Sequence, residues 1–201
     1  MDLERGHRNA FFVGIALSLI SLTLAFFRIP HWYYLGVIGI WLFFDYLAHF
    51  KTKQTAFRIL QSNKRDFFRL YFFLFLLGLL IEVVGRYFLN YWNYPYIKYP
   101  AQEILLLIYY PFILMSFREM YHALKIKFKR KIIVFILAMI VGIFIWEIPN
   151  LFSKDWIYTV PYLTGYEIYG IHIVVIAGWS FLILLPPMIY DYVLKGKMPK
   201  K

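Results

Sequence analysis

Residues 67–89 read FFRLYFFLFLLGLLIEVVGRYFL, an apolar run interrupted only by Arg69, Glu82 and Arg86. A helix needs roughly 20 such residues to cross the hydrocarbon core of a bilayer, so this stretch is long enough to span it. Five more runs of the same character lie at 10–27, 32–50, 101–121, 132–149 and 166–194. The whole chain fits that reading. Its residues are 62% hydrophobic and 22% aromatic, and the 16% that are charged cannot clothe a soluble domain. Lipid offers no water to an open backbone, so all six runs are expected to be helical. The fold class expected is therefore all-α: one polytopic transmembrane domain over 1–201 with six membrane helices.

The first run is expected to remain as a span. Arg5 and Arg8 precede it, but Phe27-Arg28-Ile29-Pro30 at its end is no small-residue cleavage site. Lysine and arginine then orient the chain. The N-terminus, the 51–69 loop, the 118–131 loop and the C-terminus carry 2, 6, 6 and 4 of them, against 1, 2 and 1 in the other three loops. This bias places both termini in the cytoplasm, with the plasma membrane as the expected location. The net charge of +11 gathers on that face, where Lys125, Lys127, Lys129, Arg130 and Lys131 would meet anionic headgroups. Topology accounts for these charges, and no nucleic-acid partner is expected. The chain has no cysteine, which excludes disulfides, a thiol nucleophile and a thiolate metal site.

Against this background one pattern is unusual. Trp-x-Tyr-x8-Glu occurs twice, as Trp92, Tyr94, Glu103 and as Trp156, Tyr158, Glu167, displaced by 64 residues. Each copy follows an acid inside an apolar run, Glu82 and Glu147, displaced by 65. The surrounding segments, 67–121 and 132–187, are expected to be parallel hairpin repeats about an axis along the membrane normal, preceded by an N-terminal hairpin at 10–50. Carboxylates inside membrane spans normally face a bundle interior or cavity and mark function. Glu103 and Glu167 are expected in the first turns of the fourth and sixth spans, where the helix dipole favours an anion. Glu82 and Arg86 stand at helical (i, i+4) spacing and are expected to pair.

Simpler roles compete for several of these groups. The loop rings, among them Trp92, Tyr94, Trp156 and Tyr158, sit where interfacial aromatic belts form. Asp45 with His49, and Glu119 with His122, lie near the basic edge and are expected to be solvated. Pro186 and Pro187 are expected to kink or end the sixth helix, since neither has an amide donor.

An acid near the end of one span, a Trp-x-Tyr in the following loop and a proline-led acidic motif opening the next span resemble the lycopene cyclase domain family. The residues that carry the resemblance are Glu82, Trp92, Tyr94 and Pro100-Ala101-Gln102-Glu103, where Gln102 stands in place of the family motif's first glutamate. A more degenerate second set is Glu147, Trp156, Tyr158 and Gly165-Tyr166-Glu167. The resemblance implies acid/base cyclisation or isomerisation of an isoprenoid, carotenoid-like lipid. One carboxyl protonates a terminal alkene, the cation closes a ring, and a second carboxylate removes a proton. Burial raises a carboxyl pKa, so two carboxyls in different surroundings can serve as acid and base. In these terms Glu103 and Glu167 would be proton donors, Glu147 the base, and Glu82 with Arg86 an orienting pair. Trp92, Trp146 and Trp156 would stabilise the cation through their faces, with Tyr94 and Tyr158 beside them.

Two other classes remain open. A small-solute or cation/proton transporter could use the same glutamates. A structural membrane subunit could use them as interhelical glue. No metal or other cofactor is expected: the chain has no glycine-rich nucleotide loop, no His-Glu-x-x-His and no paired aspartate-rich motif. The expected partner is a membrane lipid or isoprenoid substrate, and a homodimer could complete the site.

Overall fold

The computed structural model describes residues 3–50, 52, 54–161, 165–168 and 171–194, without the side chains of residues 3, 167, 168, 171, 191 and 194. Seven α-helices dominate these residues: α1 (Leu3–Phe26), α2 (Tyr33–His49), α3 (Ala56–Ser62), α4 (Lys64–Glu82), α5 (Pro100–Lys127), α6 (Lys131–Ser153) and α7 (Ile173–Leu194). Five of them are long and apolar enough to cross a membrane: α1, α4 with its continuation to Phe88, α5, α6 and α7. The chain is thus a helical protein suited to multiple membrane crossings. The run at 32–50 yields a helix of 17 residues, shorter than the rest.

Local chemistry sets the helix ends. Asn63 accepts the amide of Asp66 at 3.2 Å and starts α4. Pro100 opens α5 with its φ already helical, and the Gln102 side chain reaches back to the amides of Lys98 (2.7 Å) and Tyr99 (3.1 Å). α6 stops at Lys154, whose φ of 58° is left-handed. The prolines of α7 do not end it; the helix runs through Pro186 and Pro187 to Leu194. Membrane helices tolerate such prolines because neighbouring groups can satisfy the freed carbonyls.

Small residues bring α1 and α2 into backbone contact. A Cβ on Gly39 would lie 2.6 Å from the Ser18 amide, and one on Gly14 2.9 Å from the Gly39 carbonyl. α5 is the central helix, packing against α2, α4, α6 and α7. Toward the basic end of the bundle, Leu70, Leu74, Leu114, Met115, Tyr190 and Val193 form a core of α4, α5 and α7. Toward the other end, the loops carrying the two Trp-x-Tyr motifs close over a second core that includes Trp32, Tyr33, Tyr110, Trp146 and Trp179.

Two departures from the expected all-helical layout occur at this motif end. Trp92–Asn93 (β1) pairs antiparallel with Ile157–Tyr158 (β2), joining the two loops. Glu167–Ile168 (β3) pairs with Ile171–His172 (β4), so α7 starts at Ile173 and Glu167 lies in no helical first turn. A sequence with glycines at 165 and 170 is poorly suited to open a helix, since glycine gives up the most backbone freedom there.

Candidate functional site

Glu82 is the last residue of α4, and the next six, Val83–Phe88, wind as a π-helix. Such single-turn irregularities are frequent at functional sites. The Glu82 side chain is buried, and its Oε1 accepts the Tyr94 hydroxyl at 2.7 Å, the Tyr110 hydroxyl, and the Trp92 indole N–H at a longer 3.4 Å. The Trp92 ring lies directly on Gly85, where a Cβ would stand 1.8 Å from Cη2 of the indole. Gly78, two turns earlier in the helix, makes room for Tyr110 in the same way, since a Cβ there would meet Cβ of Tyr110 at 2.6 Å.

Glu147, also buried, holds the corresponding place on α6. Tyr158 donates its hydroxyl to Oε1 at 2.5 Å, and the Trp156 indole N–H reaches Oε2 at 3.4 Å and the Tyr158 oxygen at 3.0 Å. Asn150, one turn beyond Glu147, fixes Trp156: its amide donates to the Trp156 carbonyl (2.9 Å) and its oxygen accepts the Trp156 N–H (3.0 Å). Each buried glutamate is therefore held by the tryptophan and the tyrosine of the loop that follows it. In the β1–β2 register Asn93, the middle residue of the first Trp-x-Tyr, faces Ile157, the middle residue of the second.

Between these two constellations lies a cavity of about 620 Å3, within the usual range of small-molecule sites. Trp92, Tyr94, Trp146, Trp156 and Tyr158, the five rings expected from sequence, all line it, as does Glu147. Glu82 stands behind Tyr94 and Tyr110, whose rings form the wall. Tyr33, Tyr91, Tyr110, Phe117, Trp179 and Phe181 complete the aromatic lining, and sequence reasoning missed them. Tyr110 had a faint signal: it lies seven residues past Glu103 on the same helix face, beyond any local motif.

The remaining candidates separate from this pair. Arg86 does not pair with Glu82. Its guanidinium bonds Glu103 Oε1 at 3.1 Å, and Tyr87 donates to Glu103 Oε2 at 3.2 Å. The (i, i+4) expectation assumed an α-helix; the π-helical turn that begins at Val83 changes the direction of Arg86 toward α5. Glu103 does occupy the first turn of α5 as expected, but its side chain is 38% exposed and outside the cavity wall. Arg86 also stacks over Tyr94, 5.2 Å from the ring centroid, which ties this outer pair to the Glu82 cluster. Glu167 is placed only through its backbone, opposite His172; its side chain lies outside the described residues.

At the motif end the phenols of Tyr94 and Tyr158 are pushed well above their ordinary pKa, by burial first and by the adjacent carboxylates second. They remain hydroxyl donors at any physiological pH. Nearby, the Asp155 carboxyl is pushed up to about 7 by burial, against the opposing hydrogen bond from the His31 amide at 2.7 Å. Among the described residues no group of three or more His, Asp or Glu side chains converges as a metal site.

A second polar cluster lies at the basic end and corrects the expected solvated edge. Asp45, His49 and Glu119 are all buried. His7 meets Asp45 at 2.8 Å, Arg118 meets Glu119 at 2.8 Å, and the guanidinium sits 4.0 Å over the Tyr190 ring. The two carboxylates also take the first amides of α3, Ala56 N–H to Glu119 (3.0 Å) and Phe57 N–H to Asp45 (2.9 Å). Folded over this edge, α3 removes it from water, and its orphan amides and the buried carboxylates satisfy one another.

Compared with family models, curated proteins and solved structures, the chain matches none of them.

Proposed function

We propose that this protein is a multi-pass membrane enzyme carrying out acid/base cyclisation or isomerisation of an unsaturated, isoprenoid-type lipid, in the manner of lycopene cyclases. The observation that carries the reading is the pair Glu82 and Glu147, each held by its own Trp-x-Tyr at one aromatic cavity. In this scheme Glu147 faces the substrate and delivers a proton to a terminal alkene carbon. The resulting cation is attacked by an internal double bond, which closes a ring, and the rings of Trp146, Trp156 and Trp92 stabilise the positive charge. Loss of a neighbouring proton to the Glu82 side, through the hydroxyl of Tyr94 or Tyr110, restores an alkene. For the substrate the net change is an isomerisation with no cofactor, and return of a proton from the Glu82 side to Glu147 resets the enzyme. Glu103 and Arg86 act as a pair outside the cavity, and Tyr94, between Arg86 and Glu82, couples the two.

The same reading takes α2 as a sixth crossing, both termini as cytoplasmic and the plasma membrane as the location. It treats the two Glu and Trp-x-Tyr hairpins as parallel repeats. Asn93 and Ile157 are 64 positions apart, the displacement between the motifs, so a local twofold axis would pass between them. A conduit is less well supported than an enzyme, because Phe117 and the core layer of Leu74 and Tyr190 lie between the cavity and the basic end. The deciding experiment is carotenoid profiling of lycopene-accumulating cells expressing the wild type, Glu147→Gln or Glu82→Gln. Ringed products from the wild type alone support the proposal. An unchanged profile from well-expressed, folded wild-type protein sinks it for lycopene.

A further inference from the structure

The cavity does not end at the protein surface as a closed wall. Leu80 and Val84 on the α4 side and Phe181 on α7 line it, yet they are 58%, 41% and 65% exposed. All three belong to helices long and apolar enough to cross a membrane, and on the multi-pass reading the surface they expose meets hydrocarbon. Between them Gly178 faces open space, where a Cβ would meet no atom of the described residues within 4 Å. On Gly142 of α6, by contrast, a Cβ would press on Phe117 at 3.1 Å and Trp179 at 3.2 Å. The two helices do meet at their basic ends, where Leu74 shares a core with Tyr190 and Phe73 packs against Tyr192 with ring centroids 6.3 Å apart. Among the described residues α4 and α7 therefore form a cleft closed below and open above, running from the flank of the bundle to Glu147.

We propose that the cavity is loaded sideways from the bilayer through the α4–α7 cleft, admitting the unsaturated end of a long hydrocarbon chain whose remainder stays in the lipid. The inference rests on the enzymatic reading for its substrate class, and on the cleft alone for its route. An apolar entrance at that depth excludes ions and sugars, because each polar group crossing it would lose its water uncompensated. It admits a hydrocarbon chain at little cost, since the walls replace one apolar surface by another. Gly178 lines the threshold, where the space beside it leaves room for a chain to pass.

The chain has no cysteine, so a single Gly178→Cys variant can carry one bimane label without background, with Phe12→Cys on exposed α1 as the lipid-facing reference. Both are reconstituted in phosphatidylcholine vesicles with brominated or plain acyl chains, and each is also challenged with aqueous iodide and with added squalene. The expected result is a loss of fluorescence at position 178 from brominated chains comparable with that at position 12, little loss from iodide, and relief of the bromine quenching by squalene at 178 only. Ala177→Cys serves if the Gly178 variant does not fold. Quenching by iodide with none from brominated chains would overturn the lateral route, and so would an absence of squalene protection. None of these readouts needs turnover. A well-expressed, folded wild-type protein that makes no ringed product would sink the enzymatic reading and leave the route standing.

Discussion

Gly85 and Trp92 are in contact so close that no side chain fits between them: a Cβ on Gly85 would lie 1.8 Å from Cη2 of the indole. The glycine lets the six-membered ring close onto the π-helical turn, and its N–H reaches Glu82 at 3.4 Å. Gly85→Ala must displace either the ring or the turn. Overpacking of this kind typically costs about 1–3 kcal/mol. We expect a lower melting temperature in detergent and a change in tryptophan emission; an alanine variant that melts and fluoresces as the wild type would show the contact to be unimportant.

Asn150 should matter through Trp156 alone. Its side chain makes both a donor and an acceptor bond with the Trp156 backbone, and Trp156 in turn lines the cavity. Asn150→Ala leaves part-buried peptide groups of Trp156 unpaired, each at up to the roughly 1–3 kcal/mol of a buried group. Asn150→Asp keeps the acceptor for the Trp156 N–H and should recover some of the loss. Equal melting temperatures for the two variants would count against this account.

What could be read from the chain divides along physical lines. The association of Glu82 with Trp92 and Tyr94, and of Glu147 with Trp156 and Tyr158, was legible because each set lies within a dozen residues and one loop can fold its rings back onto the helix end. Trp146 was legible as the neighbour of Glu147. The partner of Arg86 was not, because the spacing rule holds only for regular α-helix and the π-turn intervenes. Tyr110 was hidden by its separation of 28 positions from Glu82, a distance over which only packing decides the contact. The buried cluster of Asp45 and Glu119 was misread for a related reason. A short helix folded over the basic edge, and nothing in the spacing of the charges announces a cover.

The Arg118–Glu119 pair in that cluster permits a sharper test. Breaking a buried ion pair by removing one partner typically costs about 3–5 kcal/mol, because the other charge is left uncompensated. Glu119→Leu and Arg118→Met should each destabilise strongly. The double substitution Arg118→Met with Glu119→Leu should recover much of the loss while leaving the α3 amides of Ala56 and Phe57 less well satisfied. Additive losses in the double variant would mean that the two side chains stabilise the fold independently.

Asp155 should give the stability a pH dependence of definite sign. Its carboxyl is pushed up to about 7 in the folded protein from an ordinary 3.8, so the fold favours the protonated form. Below pH 3.8 both states are protonated and this contribution is fully present. As pH rises toward 7 the unfolded chain loses its proton first, and the contribution is lost through that window. One pKa unit corresponds to about 1.4 kcal/mol, so the total is on the order of a few kcal/mol. Burial lowers the His31 pKa, which works against the fold on acidification below about 6.5, and both proteins in the comparison share that effect. Asp155→Asn stays neutral and keeps an oxygen for the His31 amide. Its melting temperature in detergent should exceed that of the wild type at pH 8, with the difference shrinking toward pH 5. Parallel melting curves across that range would mean that Asp155 folds as an ordinary ionised aspartate.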